Sequence, residues 1–374
     1  MTTEPMFKAK RESSTDLVAV AVLLLAFAVR VKGIRGIDLG LDGGLSVTLA
    51  RMPLGDALTF LVHDVHPPLY YLGLRFWVLV AGTTPLAVKY LGLLLSTMAV
   101  AAAMGWIRSL VGSRGALLAG LTLAVTPATV EVGGSVREFG PAVTLMILAA
   151  WAYTRWSRQS RVAFVVLSAL ALWTSYIAVA VPLAAVIDAV ARRSWRRLVV
   201  SALAGATILP WLGYIVSQGF LETLRSNGPR QNLVAPPPLL SQLGDVAVIL
   251  TGGSYLTPTV LGPAVVGIVL IVLAVGLAVD RLSWRRPVPF VSGTGIFVGA
   301  TIVASVILAI AVNTIWTRQA MSSRYVLPAL PFTLLVVAAA TQAASIRRPG
   351  LIVVAGIIPL VAVAGLLGWY ARPT

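Results

Sequence analysis

Long apolar runs separated by short polar connections make up most of the chain. Runs near 17–31, 86–107, 115–131, 139–155, 161–176, 177–191, 198–217, 259–279, 291–313, 325–343 and 351–369 approach the roughly 20 residues with which a helix crosses a bilayer. Their length and unbroken apolarity predict helices, because strands alternate and stop sooner. In lipid, a helix also satisfies its own backbone polar groups. The predicted fold class is therefore all-α, a polytopic membrane protein with about eleven transmembrane helices. No A-x-A-like cleavage site follows the first run, so it reads as a retained span.

Two connections are long. Residues 32–85 mix polar and apolar stretches, and residues 218–258 contain Asn227-Gly228-Pro229 and the run Pro236-Pro237-Pro238. No internal repeat and no soluble domain stands out. The whole chain reads as one membrane-embedded unit, with a module at 17–191 that contains outer loop 32–85 and further helices at 198–374 that contain outer loop 218–258.

Composition sharpens this picture. Of 374 residues, 58% are apolar and only 11% charged, with mean hydropathy +0.91. A soluble domain carries about 25% charged residues, so an ordinary soluble enzyme and a disordered chain are both excluded. There is no Cys, which excludes a disulfide scaffold. The net charge of +16 would suggest nucleic acid in a soluble protein. Here the basic residues sit in short loops between spans, where they set orientation and meet anionic lipid headgroups, and nucleic acid is not expected as a partner.

Those basic residues decide the one ambiguous segment, 67–82 (PPLYYLGLRFWVLVAG). Pro67 and Pro68 suit a helix start, where N–H groups have no partner within the helix. The helix could cross the membrane or lie along its surface. If it lies on the surface, 17 of the 29 Lys and Arg residues fall on one side, in the N-terminal segment and the short loops near Arg108, Arg155, Arg192, Arg285 and Arg347. If it crosses, everything after it flips, and 14 of those 17 change sides. The positive-inside rule favours the surface helix, a cytoplasmic N-terminus and an extracytoplasmic C-terminus.

With that topology, eight of the 13 acids are outside: Asp38, Asp42, Asp56, Asp64, Glu131, Glu138, Glu222 and Asp245. Asp188 is the one acid within a span, and beside Arg192 and Arg193 it reads as an ion pair in preference to a proton relay. Four outer segments bring chemistry to one interface. They are Asp38 and Asp42 in GIDLGLDGGLSV, Asp64 to Tyr71 in DVHPPLYY, Glu131 with the run SVREF (135–139), and Arg318 with Arg324-Tyr325. Arginine forks suit a phosphate, and a carboxylate at a dry interface can accept a hydroxyl proton. Each group also has a plainer reading. Arg137 and Arg324 could snorkel to headgroups, Asp42 and Asp64 could cap helices or turns, and His66 could be a solvated loop residue. With only His63 and His66 in the chain, a His-rich metal site is not expected, although Asp42 could join an oxygen-ligand site for a divalent ion. Tyr70, Tyr71, Trp77 and Trp316 read as interface anchors.

Taken together, these segments resemble the GT-C membrane glycosyltransferases, in the branch of the protein O-mannosyltransferases and the lipid A aminoarabinose transferase. The resemblance rests on DVHPPLYY following LGLDGGLSVTLAR. That family shows a Trp/Leu-x-Asp-Glu motif, then a His-Pro-Pro or Lys-Pro-Pro motif opening an outer juxtamembrane helix, and later Arg-x-Tyr motifs. The match runs from about residue 35 to 190 and is weaker at Arg324-Tyr325-Val326-Leu327-Pro328. The resemblance implies that Asp42 is the catalytic Asp and that His66, Arg137 and Arg324 bind the donor phosphate. Asp38, Asp64, Glu138, Tyr70 and Tyr325 are supporting candidates around the acceptor. Gly43 stands where the family has Glu, and Phe139 where it has Tyr.

The activity implied is inverting transfer of a sugar, mannose or a related hexose or pentose, from a polyprenyl-phosphate donor to a lipid-linked, glycan or protein acceptor outside the cytoplasm. No cofactor is expected beyond an optional divalent ion. In this reading Arg137 and Arg324 neutralise the leaving phosphate, His66 and the helix N-terminus at Pro67 add donors, and Asp42 takes the acceptor proton. Loop 218–258 could order over the donor or be a plain surface loop. Two other classes stay open: an impaired relative acting as a binding subunit, for which Gly43 speaks, and a lipid or solute transporter.

Overall fold

The computed structural model describes residues 4–34, 39–64, 66–222, 235–252, 293–317, 321–344 and 349–371. Nearly all of these residues are helical, and none of the described residues lies in a strand. The chain is an integral membrane protein with an all-α fold. Helices occupy every predicted interval except 259–279, which lies outside the described residues. By length and apolarity, Pro85–Val111, Trp195–Ser217, Gly295–Ile315 and Ser323–Thr341 are each long enough to cross, and Ser113–Val125 with Pro127–Gly133 makes a further span bent by 60°.

The first half begins with α1 (Glu4–Gly33). What reads as an outer loop is itself helical: α2 (Gly40–Arg51), α3 (Leu54–Val62) and α4 (Leu69–Ala81). Then come α5 (Pro85–Val111), α6 (Ser113–Val125), α7 (Pro127–Gly133) and α8 (Phe139–Arg155). Local chemistry sets these boundaries. Thr84 caps α5 by accepting from the Ala87 N–H, with Pro85 in the first turn, where its missing N–H is not needed. Gly82 and Gly112 end α4 and α5 at φ +84° and +86°, a region open to glycine at little cost.

The second half continues with α9 (Arg158–Thr174), a short 3-10 turn at Tyr176–Val179, α10 (Ala180–Ala191), α11 (Trp195–Ala206) and α12 (Leu209–Ser217). Within the second long connection lies α13 (Leu239–Leu250), while residues 223–234 and 253–258 are outside the described set. The chain then forms α14 (Gly295–Val312), α15 (Ser323–Val326), α16 (Leu330–Ala344) and α17 (Pro349–Tyr370).

α4 is too short to cross. Its 13 residues rise about 20 Å, against a hydrocarbon core of about 30 Å. Phe76, Leu79 and Val80 are exposed on one face, and Tyr70, Tyr71 and Leu74 are buried on the other, as in a helix lying in the interface plane. Tyr70 and Tyr71 are therefore inside the protein, at 7% and 3% exposure, and not interface anchors. They alternate with the lipid-facing residues on a helix whose inner face packs on the bundle. Trp77 is partly buried and donates to the Ala87 carbonyl at 2.8 Å, tying α4 to α5, and Trp316 has no described side chain. Arg75 donates to the carbonyls of Ala50 and Met52 and so caps the end of α2, which fixes α2 against α4.

Packing is tightest where backbones meet. A Cβ on Gly92 of α5 would lie 2.8 Å from the Ser135 carbonyl and 3.0 Å from that of Gly133. The turn after α7 thus rests directly on α5, a close approach that small residues permit in membrane bundles. Asp188 in α10 is fully buried and accepts from Tyr153 Oη and Arg192 Nε, each at 2.7 Å, with Arg197 at 3.9 Å. It is an ion pair, as expected, but with Arg192 and Arg197 and not Arg193.

If α4 lies in the interface, a Leu79→Trp reporter in the protein should be quenched by headgroup-level lipid quenchers and not by quenchers at the bilayer centre. Strong quenching from the centre would instead make α4 a span.

Candidate active site

Four chain segments meet at one end of the bundle: the first turn of α2, the connection 63–68 before α4, the turn between α7 and α8, and α15. Asp42 lies in the first turn of α2, where the helix N-terminus favours a carboxylate. Its side chain is 54% exposed and faces two guanidiniums, with Arg324 Nη1 at 3.0 Å and Arg137 Nη1 at 3.8 Å. Arg324 is 282 residues away in sequence and sits in α15. Its guanidinium also stacks over Phe139 and Tyr325, 5.6 and 5.1 Å from the ring centroids, a cation–π arrangement. Those two rings pack edge to face at 5.8 Å. Phe139, where the resembling family has Tyr, is thus a buried platform beneath the arginine.

Beneath Arg137 lies a second layer. Glu138 is fully buried, 3.3 Å from Arg137 Nε and 3.2 Å from His66 Nε2. His66 Nδ1 lies 3.2 Å from Asp64, and Arg137 Nη2 is 2.8 Å from His66 Nε2. That last contact would be a hydrogen bond only if Nε2 carried no proton. Two carboxylates, one on each ring nitrogen, favour the imidazolium instead. Burial lowers the His66 pKa, but Glu138 and the hydrogen bonds to Asp64 and Glu138 outweigh it and push it up to about 9. Burial likewise raises Glu138, and His66 and Arg137 more than reverse this and hold it below its usual range. For Arg137, burial works against the charge and Glu138 outweighs it, so its pKa is raised. Burial, with Glu138 nearby, keeps the Tyr70 and Tyr71 hydroxyls protonated.

The outer layer opens on one pocket of about 170 Å³, walled by Asp42, Gly43, Glu131, Arg137, Ser323 and Arg324 among others. Asp42, Arg137 and Arg324 therefore share a cavity. Asp64, His66, Glu138 and Tyr70 do not line it and instead support Arg137 from behind. Tyr325 packs beside it, and Asp38 and Arg318 lie outside the described residues. Glu131, noted in the sequence but not singled out, is on the pocket wall and accepts from Ser323 Oγ at 2.6 Å. It is a second acid on the wall of the pocket that Asp42 also lines, where Gly43 provides none. Its inward turn follows from the Pro127 bend, which motif spacing does not show. Arg324 Nε is buried with no hydrogen-bond partner among the described residues.

A divalent ion fits poorly here. Among the described residues no three His, Asp or Glu side chains converge as ligands, and the two guanidiniums around Asp42 repel a cation.

No family model matches the chain, and no curated protein matches it. Solved structures do. ArnT from Cupriavidus metallidurans bound to undecaprenyl phosphate matches with TM-score 0.60 and 14% identity, covering 96% of this chain and 76% of that one. The apo state of the same protein matches with TM-score 0.55 and 14% identity, covering 96% and 78%. The fold is GT-C-like.

The His66 shift has a signed consequence for stability. Its folded pKa is raised, so its contribution is complete below about pH 6.5 and is lost as pH rises through about 9. Thermal unfolding of the wild type in detergent should fall across that window, and His66→Gln should remove most of the slope. An unchanged slope in the variant would show that His66 is not the titrating group.

Proposed function

We propose that the chain is a glycosyltransferase that moves a sugar from a polyprenyl-phosphate donor to a lipid-linked, glycan or protein acceptor, at the extracytoplasmic face of the membrane and with inversion. The observation that carries this reading is the pairing of two guanidiniums with two carboxylates around one pocket, in a fold shared with a protein solved with undecaprenyl phosphate. The basic loops support a cytoplasmic N-terminus and hence an outward-facing pocket.

The chemistry follows from the geometry. Arg137 and Arg324 form an anion seat. The acceptor hydroxyl oxygen bonds to the anomeric carbon as the bond from that carbon to the phosphate oxygen breaks. Charge grows on the departing polyprenyl phosphate, where fixed guanidiniums stabilise it most. The hydroxyl proton passes to a pocket carboxylate, Asp42 or Glu131. His66, Asp64 and Glu138 keep Arg137 charged and aimed.

In the structure the seat is already filled from within, since Asp42 pairs with both arginines. An arriving phosphate must displace it, and displacement frees the carboxylate to act as a base. Donor binding and base activation are thus one event. The sugar is left open between mannose, as the motif resemblance implies, and pentoses such as aminoarabinose. An accessory subunit without catalysis is less well supported, because Glu131 provides the second acid that Gly43 lacks.

Removing the internal competitor should strengthen binding while removing the base. Asp42→Asn is expected to bind undecaprenyl phosphate several-fold more tightly and to lose about 10²–10⁴ in sugar transfer. Arg137→Ala and Arg324→Ala should each weaken binding and lose about 10²–10³ in transfer. Binding by isothermal titration, and transfer from radiolabelled polyprenyl-phosphate mannose and aminoarabinose to a lipid and glycan extract, test this. Weaker binding in Asp42→Asn would remove the internal-competitor account, and arginine variants that bind as wild type would remove the anion seat.

A further inference from the structure

Arg30, in the last turn of α1, is fully buried. Among the described residues its hydrogen bonds reach no carboxylate. Nε donates to Ser96 Oγ at 2.8 Å, Nη1 to the carbonyls of Ala26 and Ala124 at 2.9 and 3.2 Å, and Nη2 to the carbonyl of Leu123 at 3.3 Å. A charge inside a membrane bundle is costly, so the acceptors it serves matter.

Two of those acceptors are made by the sequence. In a continuous helix the Leu123 carbonyl would accept from residue 127, but Pro127 has no N–H. The 60° bend between α6 and α7 carries the Ala124 carbonyl off the ladder as well. Thr129 Oγ1 donates to the Leu123 carbonyl at 2.6 Å, and Arg30 completes the cap. Contact continues along α7. A Cβ on Gly33 would lie 2.8 Å from Val130 Cγ1, and one on Gly133 would lie 3.4 Å from Arg30 Cδ. Beside this junction is a small void of about 20 Å³, bordered by Arg30, Ser96, Thr129 and Val132.

We propose that Arg30 is a positioning residue of the pocket. By capping the carbonyls that Pro127 leaves without partners, it fixes the α6–α7 bend and so aims Glu131 and the 134–138 turn, with Arg137, into the pocket. The bend itself does not depend on the glycosyltransferase reading; only the ligand readout below rests on it.

The test separates stability from aim. Variants Arg30→Met, Arg30→Lys, Pro127→Ala and Arg30→Met/Pro127→Ala are compared for thermal unfolding and for undecaprenyl phosphate binding. Because the chain has no Cys, spin labels at Ser135→Cys and Leu72→Cys report the position of the turn against α4 without any ligand. Arg30→Met should unfold at lower temperature, shift the label distance and weaken binding at least tenfold. Arg30→Lys should recover part of each loss. The double variant should regain unfolding temperature, because Pro127→Ala restores the N–H that the Leu123 carbonyl lacks, while label distance and binding stay altered. If Arg30→Met alone does not fold, the double variant provides the same readouts. Recovery of distance and binding together with stability would reduce Arg30 to a structural role. Additive losses in unfolding temperature would overturn the capping account. Wild type that fails to bind undecaprenyl phosphate would sink the donor reading alone, with the label distance still deciding the bend.

Discussion

Glu138 is the constraint around which the site is organised. A carboxylate with no exposed surface cannot remain ionised without close cations, and two are supplied, Arg137 from its own turn and His66 from the connection before α4. Each cation is then committed. His66 also holds Asp64, and Arg137 keeps only its outer face for the pocket. Loss of one member would leave a buried charge unbalanced, so the cluster ties segments 71 residues apart into one rigid support. The pocket arginine is placed by this buried network and not by the loop that carries it.

The two layers differ in how they meet solvent, and that difference divides their roles. Glu138 is inaccessible and His66 about a fifth exposed, while Asp42 is half exposed and Arg324 a third exposed. Exposed pairs are weak and exchange partners readily, whereas buried ones are held by the penalty of separation. The proposed function asks the site both to hold geometry and to release an anion, and the first kind stands at its mouth and the second at its base. Phe139 serves the same division. It gives Arg324 an apolar surface to lie on without offering a hydrogen bond that would fix it.

Much of this was legible in the chain. Apolar run length predicted the helices, and the distribution of Arg over short loops read α4 as a surface helix, with which its 13-residue length agrees. The topology drawn from the Arg count put Asp42, Arg137 and Arg324 at one face, and the structure gathers them around one pocket. What was not legible depends on pairings distant in sequence. Glu131 turns inward because Pro127 bends a span and Ser323, 192 residues on, meets it there. His66 reads as a phosphate donor in its motif, yet Asp64 and Glu138 take both its ring nitrogens. Tyr70 and Tyr71 look like interface aromatics in composition, and only the packing of α4 on the bundle shows which face they occupy. Arg30 is one basic residue among many at the end of an apolar run until its carbonyl partners are known.

The ion pairs of Asp42 also bear on which lipids the resting protein retains. In the proposed orientation the pocket lies at headgroup depth, where two open guanidiniums would attract any anionic phospholipid, and such lipids vastly outnumber the proposed polyprenyl carrier. With Asp42 seated between the arginines, the vacant pocket is close to neutral at its mouth. An ordinary phosphodiester headgroup then gains little by entering, and only a ligand with further contacts to offer can repay the displacement. Under the proposed function, an internal acid of this kind would filter the site against the surrounding bilayer, a solvent made largely of competing phosphates.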